Sequence, residues 1–121
     1  MEKRIIVYGT LKKGFNNHRL LLNSKFIDTA ITKNKYTMTR AGIPYVNEDK
    51  PTSFIHGEVY DVDKETLWRL DGLEGFRGSR KNSFYYRKPI LVTLKSGEET
   101  EAEIYFSDQS SKIIVEDGIY K

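Results

Sequence analysis

Two stretches alternate apolar and polar residues with the period of a strand. In residues 84–94 the positions Ile90, Val92 and Leu94 share one face. In residues 101–107 Ala102, Ile104 and Phe106 do the same, and Ser96-Gly97 between the two stretches predicts a hairpin. Residues 3–9 (Lys-Arg-Ile-Ile-Val-Tyr-Gly) are β-branched at the centre and read as a further strand. Residues 25–40 are rich in Ile, Thr, Tyr and Phe and read as two strands with Asn34 at the turn between them. Ala41-Gly42-Ile43-Pro44 breaks that pattern, because Pro44 lacks an amide donor and disfavours helix at Ile43. Asn47 to Thr52 is polar and turn-like. Residues 54–61 form the next strand, with Gly57 where a backbone or a ligand approaches closely.

Helical signals are fewer. Asn16 or Asn17 caps a short helix through Leu22, with Leu20, Leu21 and Leu22 as its apolar side. A longer helix spans roughly 63–74: Asp63 is a natural N-cap, Val62 and Leu67 stand at the spacing of a hydrophobic staple, and Gly75 is a stop. The tail from Ile113 to Tyr120 is apolar enough to dock on the body. Strands outnumber helices and their alternation is irregular. The fold class read from this is α+β, a single domain over 1–121 built on a strongly curved, mostly antiparallel or mixed sheet or small β-barrel.

Composition narrows the function classes. The chain has 121 residues, 38% of them hydrophobic and 31% charged, which is globular composition with room for one core. With no Cys, a disulfide scaffold, a zinc ribbon and a cysteine nucleophile are excluded, and His18 and His56 alone make a poor transition-metal set. The longest apolar run, Ile5 to Tyr8, is too short to span a bilayer, and no secretory signal is read, so the expected location is the cytoplasm. Charge is uneven: residues 1–40 carry +7 and residues 41–121 carry −4, for +3 overall. A basic N-terminal third suits nucleic acid or a substrate bearing carboxylates.

One carboxylate stands out. Glu74 lies seven residues after Leu67 and four after Leu70, on the helix stripe that should face the core. Burial of an unpaired carboxylate raises its pKa, and a carboxyl group raised toward neutrality is what proton transfer at pH 7 requires. Two continuations are open: the helix runs on through Glu74, or Gly72 ends it early and leaves Glu74 in a solvated loop. Glu58, beside Gly57 on a strand, ranks second, since strand carboxylates commonly pair with a cross-strand cation. Tyr8-Gly9-Thr10-Leu11 with Lys12, at the end of the first strand, offers unpaired backbone amides of the kind that bind a carboxylate or an oxyanion. The spacing of a phosphate loop is absent. Tyr86 and His56 are weaker candidates for lining a site, and Arg19 and Arg40 read as surface charges.

The segment Val7-Tyr8-Gly9-Thr10-Leu11-Lys12-x-Gly14-x-x-Asn17-His18-x-x-Leu21 resembles the entry motif of the γ-glutamylcyclotransferase-like superfamily, in particular its γ-glutamylamine cyclotransferase (AIG2-like) branch. Ile43-Pro44-Tyr45, Gly57-Glu58-Val59-Tyr60-Asp61-Val62, Leu70-Asp71-x-Leu73-Glu74 and the aromatic-basic Tyr85-Tyr86-x-Lys88 agree in order and spacing, so the likeness covers roughly residues 4–106. The resemblance implies a small β-barrel flanked by short helices and an intramolecular aminolysis that needs no metal or other cofactor. It maps the catalytic acid/base onto Glu74 and the substrate loop onto Tyr8, Gly9, Thr10 and Leu11, with Tyr86 nearby. The implied partner is a small-molecule γ-glutamyl compound, with no nucleic acid and no membrane. Two other readings stand beside it: a binding domain that keeps the pocket without turnover, and a nucleic-acid binder that uses the basic N-terminal third.

Overall fold

Ile5, Ile6 and Val7 sit on β1 (Lys3–Val7), and all three are buried although their side chains point to both faces of the strand. A strand covered on both sides must lie between two apolar layers, and the computed structural model, which describes residues 2–121, contains both. Ile6 joins an inner core with Met38, Val59, Val92, Ile104 and Phe106. Ile5 and Val7 join an outer core with Leu21, Tyr60, Leu70 and Tyr105.

The inner core is the filling of a barrel. The other strands are β2 (Lys25–Arg40), β3 (Pro44–Asn47), β4 (Ser53–Val62), β5 (Tyr86–Leu94) and β6 (Glu99–Phe106). β1 pairs antiparallel with β4 and parallel with β6; β4 pairs with β2, β5 with β6, and β2 with β5, which closes the circuit of five strands. β3 adds outside this ring, against the far end of β2. The result is a mixed barrel with one parallel seam, as the strand-rich pattern predicts. Gly57 marks a close approach of backbone: a methyl group there would stand 2.5 Å from the Val7 carbonyl oxygen.

The turn expected at Asn34 does not form. Residues 25–40 are one continuous strand, with its register shifted between Ile31 and Lys35. Thr32 supplies the reason: its hydroxyl donates to the Asn34 carbonyl at 2.7 Å and accepts the Ile55 N–H at 3.0 Å. The extra residues are absorbed as a bulge, which bends the strand so that one half pairs with β5 and the other with β3. The short helix is a 3-10 segment, Asn16–Leu21, and of Leu20, Leu21 and the following Leu22 only Leu21 is fully covered, while Leu22 is exposed. A three-residue turn cannot bury three consecutive side chains. The tail docks through Val115 N–H on the Met38 carbonyl and Gly118 carbonyl on the His56 N–H, at 2.8 and 2.9 Å.

α1 (Lys64–Glu74) covers the outer core with Leu70, which is fully buried. Asp63 caps it, accepting the Thr66 N–H at 2.8 Å, an interaction worth about 1 kcal/mol. At the other end Phe76 N–H bonds the Asp71 carbonyl and Gly75 N–H the Gly72 carbonyl, with Gly75 at φ +69°. This pair of bonds requires a left-handed residue at position 75, which glycine adopts without penalty. The helix therefore runs past Gly72 and stops directly after Glu74.

Candidate active site

Because the cap reverses the chain at Gly75, the segment leading into β5 returns against the helix end, and Tyr85 N–H takes the Glu74 carbonyl at 3.1 Å. The Glu74 side chain lines a cavity of about 210 Å³ between α1, the 8–11 loop, the start of β3 and the tyrosines Tyr85 and Tyr105. Glu74 is partly buried, and among the described residues no group hydrogen-bonds its carboxyl oxygens. Burial, and secondarily the charge of Asp71 one turn earlier, push this carboxyl up to about 7. A group at that value holds and releases a proton with comparable ease at neutral pH.

Opposite Glu74, the loop after β1 is held from three sides. Tyr8 is buried, and its hydroxyl donates to the Tyr105 carbonyl at 2.6 Å. Asn17 closes the loop, with its N–H on the Thr10 carbonyl at 3.0 Å and its side-chain amide on the Thr10 hydroxyl at 2.8 Å. Gly9 rests on Pro44, so close that a methyl group there would stand 2.6 Å from the proline Cγ. Within this frame the N–H groups of Lys12 and Lys13 are engaged, by the Gly9 carbonyl and the Glu58 carboxylate. Those of Tyr8, Gly9, Thr10 and Leu11 meet no protein acceptor among the described residues. Backbone amides without partners at a cavity wall are donors available to an anionic ligand.

The structure thus brings Glu74, Tyr8, Gly9, Thr10 and Leu11 to one cavity. It does not bring Tyr86 there. Tyr86 has the same parity on β5 as Val92 and Leu94, so its ring turns into the barrel core and packs on Phe106, while Tyr85 faces the cavity. The Tyr85 hydroxyl donates to the Pro44 carbonyl at 2.6 Å, tying the segment ahead of β5 to β3 across the rim. Glu58 is engaged elsewhere, accepting from Lys13 N–H and the Tyr60 hydroxyl, both at 2.9 Å. His56 lines a separate surface depression with Lys12 and Glu58.

The basic N-terminal third does not face the cavity. Lys3 pairs with Glu103, Arg4 with Asp61 and Lys33 with Glu99, and the Lys12 ammonium donates to the Tyr120 carbonyl at 2.7 Å. Sequence reasoning missed the cavity residues Asn17, Ile43, Pro44, Leu73, Phe84 and Tyr105 as candidates. Tyr105 was accessible to it, since it alternates with the inward-facing Ile104 and Phe106 and must point toward α1. Among the described residues no three His, Cys, Asp or Glu side chains gather as a metal set, and no helix is long and apolar enough to cross a membrane.

The fold, a barrel with one parallel seam, is shared with known proteins. The pattern of the family described as "Gamma-glutamyl cyclotransferase, AIG2-like" matches residues 5–121. A Methanocaldococcus jannaschii relative, named for an inferred gamma-glutamylcyclotransferase activity, is 49% identical over 97% of this chain and 94% of its own length. The zebrafish (Danio rerio) gamma-glutamylaminecyclotransferase C is 35% identical over 84% of this chain and 72% of its own. The crystal structure of a mouse AIG2-like protein superposes with a TM-score of 0.82 at 23% identity, covering 99% of this chain and 88% of the mouse one; that likeness speaks for the fold. The chain belongs to the gamma-glutamyl cyclotransferase, AIG2-like family, and its activity is of the gamma-glutamylcyclotransferase type.

Proposed function

We propose that the protein is a γ-glutamylamine cyclotransferase that releases 5-oxoproline and a free amine, with Glu74 as general acid and base. The observation that carries this is the Glu74 carboxyl, free of hydrogen bonds and pushed up to about 7, across one cavity from the unpaired amides of residues 8–11. The substrate's α-amine starts as an ammonium, which cannot attack. Glu74 as carboxylate takes a proton from it, and the nitrogen adds to the γ-carbonyl carbon. The bond from that carbon to the amine nitrogen then breaks as Glu74 returns a proton to the leaving nitrogen. Of the ammonium's three protons, one stays on the lactam nitrogen and two end on the released amine, relayed in turn. Because both reacting groups belong to one molecule, holding the ring-forming conformer contributes up to roughly 7–11 kcal/mol. The 8–11 amides would receive the α-carboxylate and the oxyanion that develops on the γ-carbonyl oxygen.

The rim bears on the amine. Ile43, Leu73 and Phe84 are exposed apolar side chains at its edge, and among the described residues no Lys or Arg lines the cavity. A carboxylate beside the scissile nitrogen, as in a γ-glutamyl α-amino acid, would find no cation to meet it. An isopeptide of the ε-(γ-glutamyl)lysine type, whose carboxylate lies a side chain away, fits this lining better. The reading asks for no cofactor in any of these steps.

The test is to incubate the protein with ε-(γ-glutamyl)lysine, a γ-glutamyl alkylamine and γ-glutamylalanine and to quantify 5-oxoproline. Release from the first two in preference to the third is expected. No release from any member would leave a pocket that binds without turnover.

A further inference from the structure

Behind the cavity wall runs a row of charges that lines no part of the cavity. Lys3 meets one oxygen of Glu103 at 2.9 Å, and Arg87 Nη1 donates to the other. The rest of the Arg87 fork closes on Asp71, Nε to Oδ1 and Nη2 to Oδ2, each at 2.9 Å. Tyr105 donates to the same Oδ1 at 2.6 Å. Arg87 also lies over the Phe76 ring, 5.2 Å from its centroid, and its side chain is only 16% exposed. A planar fork on a carboxylate fixes both position and orientation, which a single ammonium does not.

Asp71 belongs to the final turn of α1, and that turn carries Glu74. Its charge is the second cause, after burial, of the upward displacement of the Glu74 carboxyl. The other titratable groups near Glu74 are phenols: Tyr8 from the end of β1, Tyr85 ahead of β5, and Tyr105 on β6. Burial pushes all three above their ordinary value, so none changes charge between pH 5 and 9. The field at Glu74 over that range is set by Asp71 and by whatever offsets it.

We propose that Arg87 is a positioning residue for the reaction: by gripping Asp71 it holds the last turn of α1 over the cavity and governs how much of the Asp71 charge reaches Glu74. This rests on Glu74 being the proton carrier. Removing the guanidinium leaves Asp71 unopposed beside Glu74, while removing the Asp71 charge does the reverse. Like charges one helical turn apart, about 6 Å, interact strongly enough in partly buried surroundings to shift a titration midpoint by about 1 pH unit.

The experiment follows the Glu74 carboxyl by carbon-13 NMR across pH 4–9 in the unliganded protein, beside the pH profile of kcat. Arg87→Gln should raise the midpoint by about 1 unit and Asp71→Asn should lower it by a similar amount, with the acid limb of kcat moving in parallel. Arg87→Lys keeps the charge but loses the fork, so its midpoint should stay near that of the parent while kcat falls several-fold. If Arg87→Gln does not fold, the Asp71→Asn and Arg87→Lys pair decides. Midpoints that stay in place, or that move in the same direction for Arg87→Gln and Asp71→Asn, overturn the proposal, because a purely structural ion pair predicts that. The titration needs no turnover, so a parent protein that releases no 5-oxoproline refutes the proposed reaction while the coupling is still measured.

Discussion

Asp71 and Glu74 stand one turn apart on α1 in opposite surroundings. Asp71 has both oxygens engaged, by the Arg87 fork and the Tyr105 hydroxyl. Glu74 accepts nothing among the described residues and faces the cavity. One carboxylate is gripped and fixed by its partners. The other is left without a partner at the cavity, and two acids whose environments diverge in this way are the pattern on which the proposed acid–base role of Glu74 rests.

The first consequence concerns turnover. Glu74→Gln preserves shape but cannot carry a proton, so 5-oxoproline release from a γ-glutamylamine should fall by a factor on the order of 10²–10⁴. The circular dichroism spectrum should remain that of the parent. Activity within a few-fold of the parent would move the role to another group.

The same residue shapes stability against pH, and the sign is determined. The folded state holds a proton on Glu74 up to about 7, whereas the unfolded chain releases it near 4.5. Between those values the native state binds more protons, so this contribution to stability is complete below 4.5 and is lost as pH rises through 7. At 1.36 kcal/mol per pKa unit the loss is about 3 kcal/mol at most. Urea unfolding of the parent and Glu74→Gln at pH 4 and pH 8 should show the variant gaining on the parent by up to that amount at the higher pH. A constant difference would mean that the carboxyl is not displaced.

How far the site was legible in the sequence depends on how local its causes are. The Leu67–Leu70–Glu74 stripe, the Asp63 cap and the Gly75 stop are all written within one helix, and so Glu74 could be singled out, while whether Gly72 would end the helix short of it was decided only by the cap bonds at Gly75 and Phe76. Asn34 was misread because a turn and a bulge use similar residues, and the difference lay in Thr32 reaching Ile55 on another strand. Tyr86 is a candidate by its place in the aromatic-basic segment, although its parity with Val92 and Leu94 already points it inward. Long-range pairings carried no local signal: Arg87 meets Asp71 sixteen positions away, and the N-terminal cations meet carboxylates as distant as Glu103.

Gly9 is a packing requirement as well as a loop residue. Its missing side chain lets the loop lie on Pro44, whose ring is stiff and whose carbonyl holds the Tyr85 hydroxyl. Gly9→Ala should therefore destabilise the protein by about 1–3 kcal/mol and raise KM, since the amides beside it must shift. Pro44→Ala removes the ring atom that the new methyl group would strike. In the double variant the two effects should fall short of additive by at least roughly 0.5 kcal/mol, measured by thermal and urea melts. Strict additivity would mean that the loop moves away from Pro44 without cost.

Adjacent tyrosines provide the sharpest contrast, because strand alternation gives them different neighbours. The Tyr86 hydroxyl is buried in the barrel without a hydrogen-bond partner among the described residues, so Tyr86→Phe removes an unsatisfied polar atom and keeps the ring on Phe106 and under Arg80. Deleting such a group is neutral to stabilising, and turnover should be unchanged. Tyr85→Phe deletes the donor to the Pro44 carbonyl at the cavity rim, which should cost about 0.5–1.5 kcal/mol and lower kcat/KM several-fold. Parallel melts and steady-state kinetics on the two variants distinguish the assignments. If Tyr86→Phe proves the more damaging to turnover, the aromatic wall of the site is the barrel's own core rather than its rim, and the substrate enters from the opposite side of β5.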